Sequence, residues 1–292
     1  MLLSTSMDML FYNNFTFDET VDILGDAGFD AIDFSIFFPA LYGEETDSES
    51  FKSKMIDFRK KAESRGMCFN QSHAPMPSNW GNEKQDEERF KDITRAMRNA
   101  SYLGVKNIVV HPVKHIDYDV DGNQEKLFLM NMEFYGKLKP YCEEYNIKVA
   151  VENMFGAKGL KNAITHSTCS KPDEFIRYVD ALDPEWFVAC LDTGHACLVK
   201  EDVADIIRKL GGKRLKALHV HDVDGVSDMH TVPYQGLINW DKVAEALKEI
   251  NYEGDFTFEV SHFFHYKIPR ELYLPTFKYI AQIGRHIMNK IK

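Results

Sequence analysis

Seven short stretches of this sequence each carry a histidine or a carboxylate of a kind that ligates metals or moves protons. They are Ser72-His73-Ala74-Pro75, Val110-His111-Pro112, Val151-Glu152-Asn153, Leu191-Asp192-Thr193-Gly194-His195, His219-Val220-His221-Asp222, Asp228-Met229-His230 and Phe258-Glu259-Val260. Imidazole nitrogens mixed with carboxylate oxygens suit Mn²⁺, Zn²⁺, Co²⁺ or Fe²⁺ better than the all-oxygen environment of Ca²⁺. A single histidine at a strand end is more often a hydrogen-bonded structural residue than a ligand, so the weight lies in the recurrence. Glu152 and Glu259 carry more weight individually. Each ends an apolar run, where a buried carboxylate is costly unless it is paired or bound to a metal.

The elements that must position these residues alternate along the chain. Short β-rich runs occur at 2–9, 30–36, 67–73, 106–111, 147–152, 187–192, 214–221 and 255–260. Several, such as NIVV and KVAV, are nearly continuous apolar runs, as expected of parallel strands covered on both faces. Amphipathic segments lie between them at about 17–27, 50–65, 84–103, 124–145, 172–182, 202–210, 240–250 and 271–290. Asp18 and Glu19 open the first and Gly28 closes it; Asp241 follows Trp240, and Gly254 comes after the helix ending near Ile250. Eight βα units in 292 residues predict a (β/α)₈ TIM barrel, one α/β domain over 1–292. A doubly wound open sheet would more often carry a Gly-rich turn after its first strand, and none is present. In a barrel the active site sits at the C-terminal ends of the strands, where the seven stretches fall.

Composition narrows the function classes. Hydrophobic residues make up 44% and charged residues 27%, and the net charge is −10 with His neutral. That balance argues against binding nucleic acid chiefly through phosphates, which needs clustered Lys and Arg. It suits a small polar substrate, above all where a bound cation supplies positive charge. The basic cluster Arg208, Lys209, Lys213, Arg214 and Lys216 reads as a solvated helix end and turn. The five cysteines, scattered with no CxxC pair, read as reduced core residues of a cytoplasmic protein. The opening stretch MLLSTSMDMLFYNN has no basic region or long apolar run, so neither a signal peptide nor an anchor is expected, and no membrane contact. His115, His166 and His286 read as surface residues. The aromatic stretch holding His262 and His265, and the stretch around Met76, Trp80 and Asn82, read as a pocket lid or as contacts in a homo-oligomer.

The VEN around Glu152, the DTGHA from Asp192, the HVHD from His219, the later Asp228, His230, Gly236 and Trp240, and the final FE at Glu259 together resemble the xylose isomerase-like barrel superfamily. That group includes sugar and sugar-phosphate isomerases, ketose 3-epimerases and the AP endonuclease family 2, or endonuclease IV, nucleases. The resemblance covers nearly the whole chain in order and spacing. It implies one catalytic divalent ion held, as in the epimerases, by Glu152, Asp192, His219 and Glu259. His219 is preferred to His221 because the family's pattern is a histidine followed three residues later by an aspartate, here Asp222; His221 then contacts substrate or supports a ligand. The nucleases use nine ligands for three ions, and all nine have counterparts here: His73, His111, Glu152, Asp192, His195, His219, Asp228, His230 and Glu259. The expected ion is therefore Mn, Zn, Co or Mg, at one to three per chain. Two departures favour the isomerases. The chain reads HPVKH where the nucleases read HPG, and HVHDVDGVSDMH where they carry an Asn-Asp-Ser form with Arg before the DxH.

The resemblance therefore implies an aldose–ketose isomerase or ketose epimerase acting on a carbohydrate through a metal-stabilised enediolate. Glu152 and Glu259 are its expected acid–base pair, one removing the carbon-bound proton and the other returning it. His195 is expected to bind a substrate hydroxyl or phosphate. The alternatives are an endonuclease IV-like multi-metal phosphodiesterase and a lyase or dehydratase on the same scaffold. A barrel reduced to a binding subunit would be expected to lose its ligands first, and this chain keeps them.

Overall fold

The computed structural model describes residues 1–35, 46–114, 116, 118, 122–158, 163–262 and 268–292. His115 and His265, named above, lie outside these.

Eight parallel strands form the barrel: β1 (Leu3–Ser6), β2 (Ala31–Ser35), β3 (Cys68–His73), β4 (Asn107–Val110), β5 (Lys148–Glu152), β8 (Phe187–Asp192), β9 (Leu215–His219) and β10 (Phe256–Phe258). They pair in chain order, β10 pairs with β1, and a parallel bridge between Val220 and Phe258 closes the ring. That bridge carries Val220 N–H to Thr257 O at 2.8 Å and Glu259 N–H to Val220 O at 3.1 Å, so it anchors the backbone of Glu259 directly. The remaining strands, β6 (Phe155–Lys158) and β7 (Ala163–His166), form an antiparallel hairpin following β5.

The strands are outlined by the helices expected from the amphipathic segments. These are α2 (Phe17–Ala27), α3 (Glu49–Ser64), α4 (Glu83–Leu103), α5 (Gln124–Tyr145), α6 (Pro172–Asp180), α8 (Val203–Arg214), α9 (Trp240–Glu249) and α10 (Tyr273–Ile291). Their ends follow local chemistry. Thr16 and Glu19 form a reciprocal capping box at the start of α2, and Gly28 terminates it in a left-handed conformation at φ 95°. Asn82 caps α4, and Gly104 closes it at φ 81°.

Two short helices depart from the sequence reading. The first strand ends at Ser6, and Asp8–Tyr12 forms α1 instead of continuing it. Thr193–Leu198 forms α7 directly after β8, because Asp192 turns its side chain to accept the N–H of His195 at 2.6 Å. The β6–β7 hairpin was also unforeseen, since four-residue strands without clear alternation leave little pattern to read.

The strand pleat divides the core in two. Outward positions such as Ile108, Val110, Val149, Val151, Ala189, Leu191, Leu218, Phe256 and Phe258 join the large apolar layer beneath the helices. Inward positions Val109, Ala150, Val188, Cys190 and Ala217 form a separate small plug inside the barrel. Because side chains alternate, Glu152 shares the inward face with Ala150, Asp192 with Cys190, His219 with Ala217 and Glu259 with Thr257. The plug therefore forms the floor beneath them.

On the outside, the basic cluster is neutralised by surface pairs: Arg208 with Glu249, Arg214 with Asp180 and Lys216 with Glu253, at 2.5, 2.5 and 2.9 Å. All five cysteines are free. His166 is half-buried and His286 exposed, while Met76 and Trp80 are nearly half exposed. Among the described residues no helix is long and apolar enough to cross a membrane.

The last helix seats on the barrel through Gly284, where an added methyl group would run into Leu3 of β1 and Phe258 of β10. Gly284→Ala should therefore destabilise the fold by about 1–3 kcal/mol, the usual cost of overpacking. An urea midpoint no lower than that of the parent chain would refute this packing account.

Candidate metal centre

Four ligand atoms from Glu152, Asp192, His219 and Glu259 lie within 4.8 Å of one another at the C-terminal mouth of the barrel. His219 Nδ1 stands 3.1 Å from Glu152 Oε1, 3.3 Å from Glu259 Oε2 and 4.0 Å from Asp192 Oδ2. The first three residues are almost wholly buried, and the Glu259 side chain is 20% exposed at the rim. His221, two residues further on, turns instead to Asp192, with Nε2 at 3.0 Å from both carboxylate oxygens, and stacks on His230 at 4.0 Å between ring centres.

The other candidate residues surround this group. His111 Nε2 is 3.0 Å and His73 Nε2 3.6 Å from Glu152 Oε2. Asp228 Oδ2 lies 3.0 Å from His230 Nε2 and 3.6 Å from His195 Nε2. Two further triplets, His73–Glu152–His219 and His221–His230–Glu259, are also close enough to hold an ion. Seven of the ten residues singled out in the sequence line one cavity, and Asp192, His219 and His221 lie in contact with those seven.

Local hydrogen bonds set which nitrogen each ring presents. Nδ1 of His73 donates to Ala74 O at 2.7 Å, Nδ1 of His195 to Asn153 O at 2.9 Å, and Nδ1 of His230 to Glu259 O at 2.8 Å. Each bond leaves Nε2 facing the cluster, the arrangement by which backbone carbonyls orient metal-binding imidazoles. Asn153 also clamps β5 to β8. Its Oδ1 accepts the N–H of Asp192 at 2.7 Å, and its Nδ2 donates to Asp192 O at 3.0 Å. Gly194 is required by close approach, since a methyl group there would overlap the His221 ring. Asp222 is structural: its carboxylate accepts from Trp240 Nε1 at 2.8 Å and from the N–H groups of Tyr234 and Ile238 at 3.1 Å each, so it ties down the loop that carries Asp228 and His230.

The donor set fits a divalent cation. Among the described residues, buried His219 Nε2, His221 Nδ1 and Asp228 Oδ1 make no hydrogen bond, a concentration of unsatisfied polar atoms that a bound ion, or groups gathered around one, would relieve. The electrostatics agree. Burial would raise the pKa of Glu152, but the charge of His219 outweighs it and holds the carboxyl well below the usual range. Burial disfavours a charged His219, yet Glu259 and Glu152 together push its pKa well above the ordinary value. Burial is likewise outweighed at His195 by Asp192 and Asp228, and at His230 by Glu259 and Asp228; both rise to about 10. At His111 burial wins, and the pKa falls to about 4.

Sequence reasoning missed Asp33 and Lys114. Asp33 Oδ2 sits 3.8 Å behind His219 Nε2 and accepts from Gln71 Nε2 at 3.0 Å, and burial raises its pKa to about 6. Its signal was a carboxylate inside the apolar strand AIDFS. Lys114 lines the cavity itself, together with Met76, Pro77, Met154 and Phe155. Its signal was the HPVKH departure.

The xylose isomerase-like TIM barrel model matches residues 21–276. The chain belongs to this family. Within it, the chain is 27% identical over 161 residues to an uncharacterized protein, y4fM, of Sinorhizobium fredii, covering 55% of this chain and 49% of that one. It thus spans about half the length of the first curated relatives it matches. It is 25% identical over 242 residues to a D-psicose 3-epimerase of Enterocloster bolteae, covering 80% of this chain and 73% of the relative. It is 26% identical over 162 residues to a probable endonuclease 4 of Staphylococcus aureus, covering 51% and 50%. Among solved structures, a D-tagatose 3-epimerase-like protein superposes with a TM-score of 0.74 at 23% identity over 99% of both chains. The IOLI protein, solved with a zinc atom, gives 0.74 at 18% identity over 100% of this chain and 98% of that one. Both structural likenesses speak for the barrel fold.

The raised histidines fix a pH dependence. A metal can take an imidazole nitrogen only after its proton leaves. His195, His219 and His230 are protonated near neutral pH in the metal-free chain, so cation binding should release protons and tighten as pH rises from about 6 to about 8. Calorimetry with Zn²⁺ or Mn²⁺ in two buffers of different ionisation enthalpy measures this. Affinity independent of pH, with no proton release, would contradict it.

Proposed function

We propose that this barrel is a divalent-metal-dependent epimerase or isomerase of sugars, with Glu152 and Glu259 as its proton-transfer pair. The observation that carries the reading is the placement of two carboxylates, 3.1 and 3.3 Å from the same His219 nitrogen, both lining a cavity of about 380 Å³. The epimerase named among its relatives, matched over 80% of the chain, supports the substrate class.

Glu152, Asp192, His219 and Glu259 would hold the ion. When bound, it supplies Lewis acidity that makes a hydrogen on carbon beside a carbonyl removable at neutral pH. The chain's residues do the rest. Each glutamate has two oxygens, so one can serve the ion while the other reaches a substrate hydrogen. Glu152 removes or returns the proton from the buried side and Glu259 from the rim, which is how two bases invert one carbon centre. The apolar groups Met76, Met154 and Phe155 line the cavity beside both carboxylates. His195 and His230, held by backbone carbonyls, present Nε2 toward the hydroxyl groups of a bound sugar.

Incubation with ketoses in D₂O tests this. Deuterium should enter at the epimerised carbon, and Glu152→Gln or Glu259→Gln should cut the exchange rate by about 10²–10⁴-fold while the circular dichroism spectrum is unchanged. Near-parent exchange in Glu152→Gln would remove that residue from the mechanism.

One observation favours a second reading, a multi-metal phosphodiesterase. His73 and His111 face the second oxygen of Glu152, and Asp228 faces His195 and His230, giving two further groups of ligand character. Elemental analysis of protein purified without chelator separates the two readings. About one ion per chain fits the epimerase; two or three, mainly Zn, with solvent oxygen appearing in a phosphate product, fits the phosphodiesterase.

A further inference from the structure

Beside the metal-cluster cavity lies a smaller chamber of about 150 Å³. Its lining includes Lys114, Lys158, His166, Thr165 and Phe155, all but Lys114 from the β6–β7 hairpin. Lys114 and Phe155 line both spaces, so the two adjoin. Their charges are opposite in character. Glu152, Asp228 and Glu259 line the main cavity. The described residues of the side chamber include two lysines and a histidine but no carboxylate, in a chain of net charge −10.

Its polar groups are under-used. Lys114 is half-buried, and among the described residues its ammonium makes one hydrogen bond, to Phe155 O at 3.4 Å; Glu152 and Asp228 attract it from the main cavity, but neither closes an ion pair with it. Among the described residues Lys158 likewise reaches only a carbonyl, Tyr118 O at 3.2 Å. The Thr165 hydroxyl is buried and makes no hydrogen bond. Ser170 Oγ lies 3.0 Å from His166 Nδ1; with that hydroxyl donating, the ring proton sits on Nε2. An ammonium has three N–H donors, and a partly desolvated one that meets a single carbonyl calls for an anionic partner.

We propose that this chamber binds an oxyanion carried by the sugar, a phosphoryl group, with Lys114 and Lys158 supplying the charge and Thr165 and His166 further hydrogen bonds. The inference rests on the epimerase reading for the sugar but not for the anion. Phosphate oxygens are strong multi-point acceptors, and lysine meets them as a mobile point charge. A chamber of about 150 Å³ has room for a group of a few heavy atoms, against about 30 Å³ for one water in the liquid. A substrate spanning both spaces would place its reacting carbons among the carboxylates and its charged end away from them, which fixes its direction in the site.

Binding of inorganic phosphate to the purified protein, followed by ³¹P line broadening, tests the chamber without turnover. The parent chain should bind with a Kd of about 1 mM or tighter, and Lys114→Met and the exposed Lys158→Glu should each weaken it by about tenfold or more. Equal affinity in the parent and both variants would put the phosphate on the metal cluster and overturn the proposal, as would no binding. Lys158 is solvent-exposed, so its variant keeps the test sound if Lys114→Met does not fold. Solvent-deuterium exchange into ketose monophosphates, sugar acids and neutral ketoses then identifies the source. Preference for the monophosphates that shrinks in Lys158→Glu supports the assignment; preference for sugar acids or for neutral ketoses overturns the phosphoryl group. Phosphate held by the two lysines in a protein that exchanges no sugar hydrogen would sink the epimerase reading and leave the chamber standing.

Discussion

The barrel mouth is organised around charge that has been taken out of water. Glu152 and Asp192 are almost fully buried above an apolar plug, and an ionised carboxylate there would cost several kcal/mol if left alone. Compensation comes from imidazoles on neighbouring strands and loops: His219 against Glu152 and Glu259, and His195 and His230 against Asp228. Apart from Asp228 and His230, these partners lie far apart in sequence. The charge balance exists only when the ring of strands is closed, so the cluster and the fold are coupled.

That coupling explains the supporting residues. Asn153 locks β5 to β8 with two hydrogen bonds, which sets Glu152 and Asp192 at a fixed separation. Gly194 leaves room for His221 to reach Asp192. Asp222 and Trp240 hold the loop that brings Asp228 and His230 to the rim. Each acts on the cluster from outside it, and each serves the same requirement, that oppositely charged groups stay within about 4 Å where their attraction offsets desolvation.

The mouth and its side chamber differ in charge. Carboxylates and histidines line the first, whereas two lysines and a histidine line the second. Phe155 and Lys114 form the boundary, and both come from segments following barrel strands, where the fold tolerates variation.

Much of this was legible beforehand because local physics repeats. The amphipathic segments and apolar runs reflect helix and strand periodicity, and they marked all eight barrel strands and eight of the helices; strand parity then put Glu152, Asp192, His219 and Glu259 on the inner face. What local pattern could not show is distance. His219 and His221 share a strand face by alternation, yet the chain's closure at Val220–Phe258 puts one among the glutamates and turns the other to Asp192. The same holds for Asp33 behind His219, for the four-residue strands of the hairpin, and for the meeting of Lys114 with Lys158. Residue order alone determined the barrel, its inward carboxylates and its supply of imidazoles, since these follow from periodicity within each element. Only the tertiary structure decided which nitrogen faces which oxygen and where an ammonium is left without a close ion pair, because those are contacts across the ring between residues far apart in the chain.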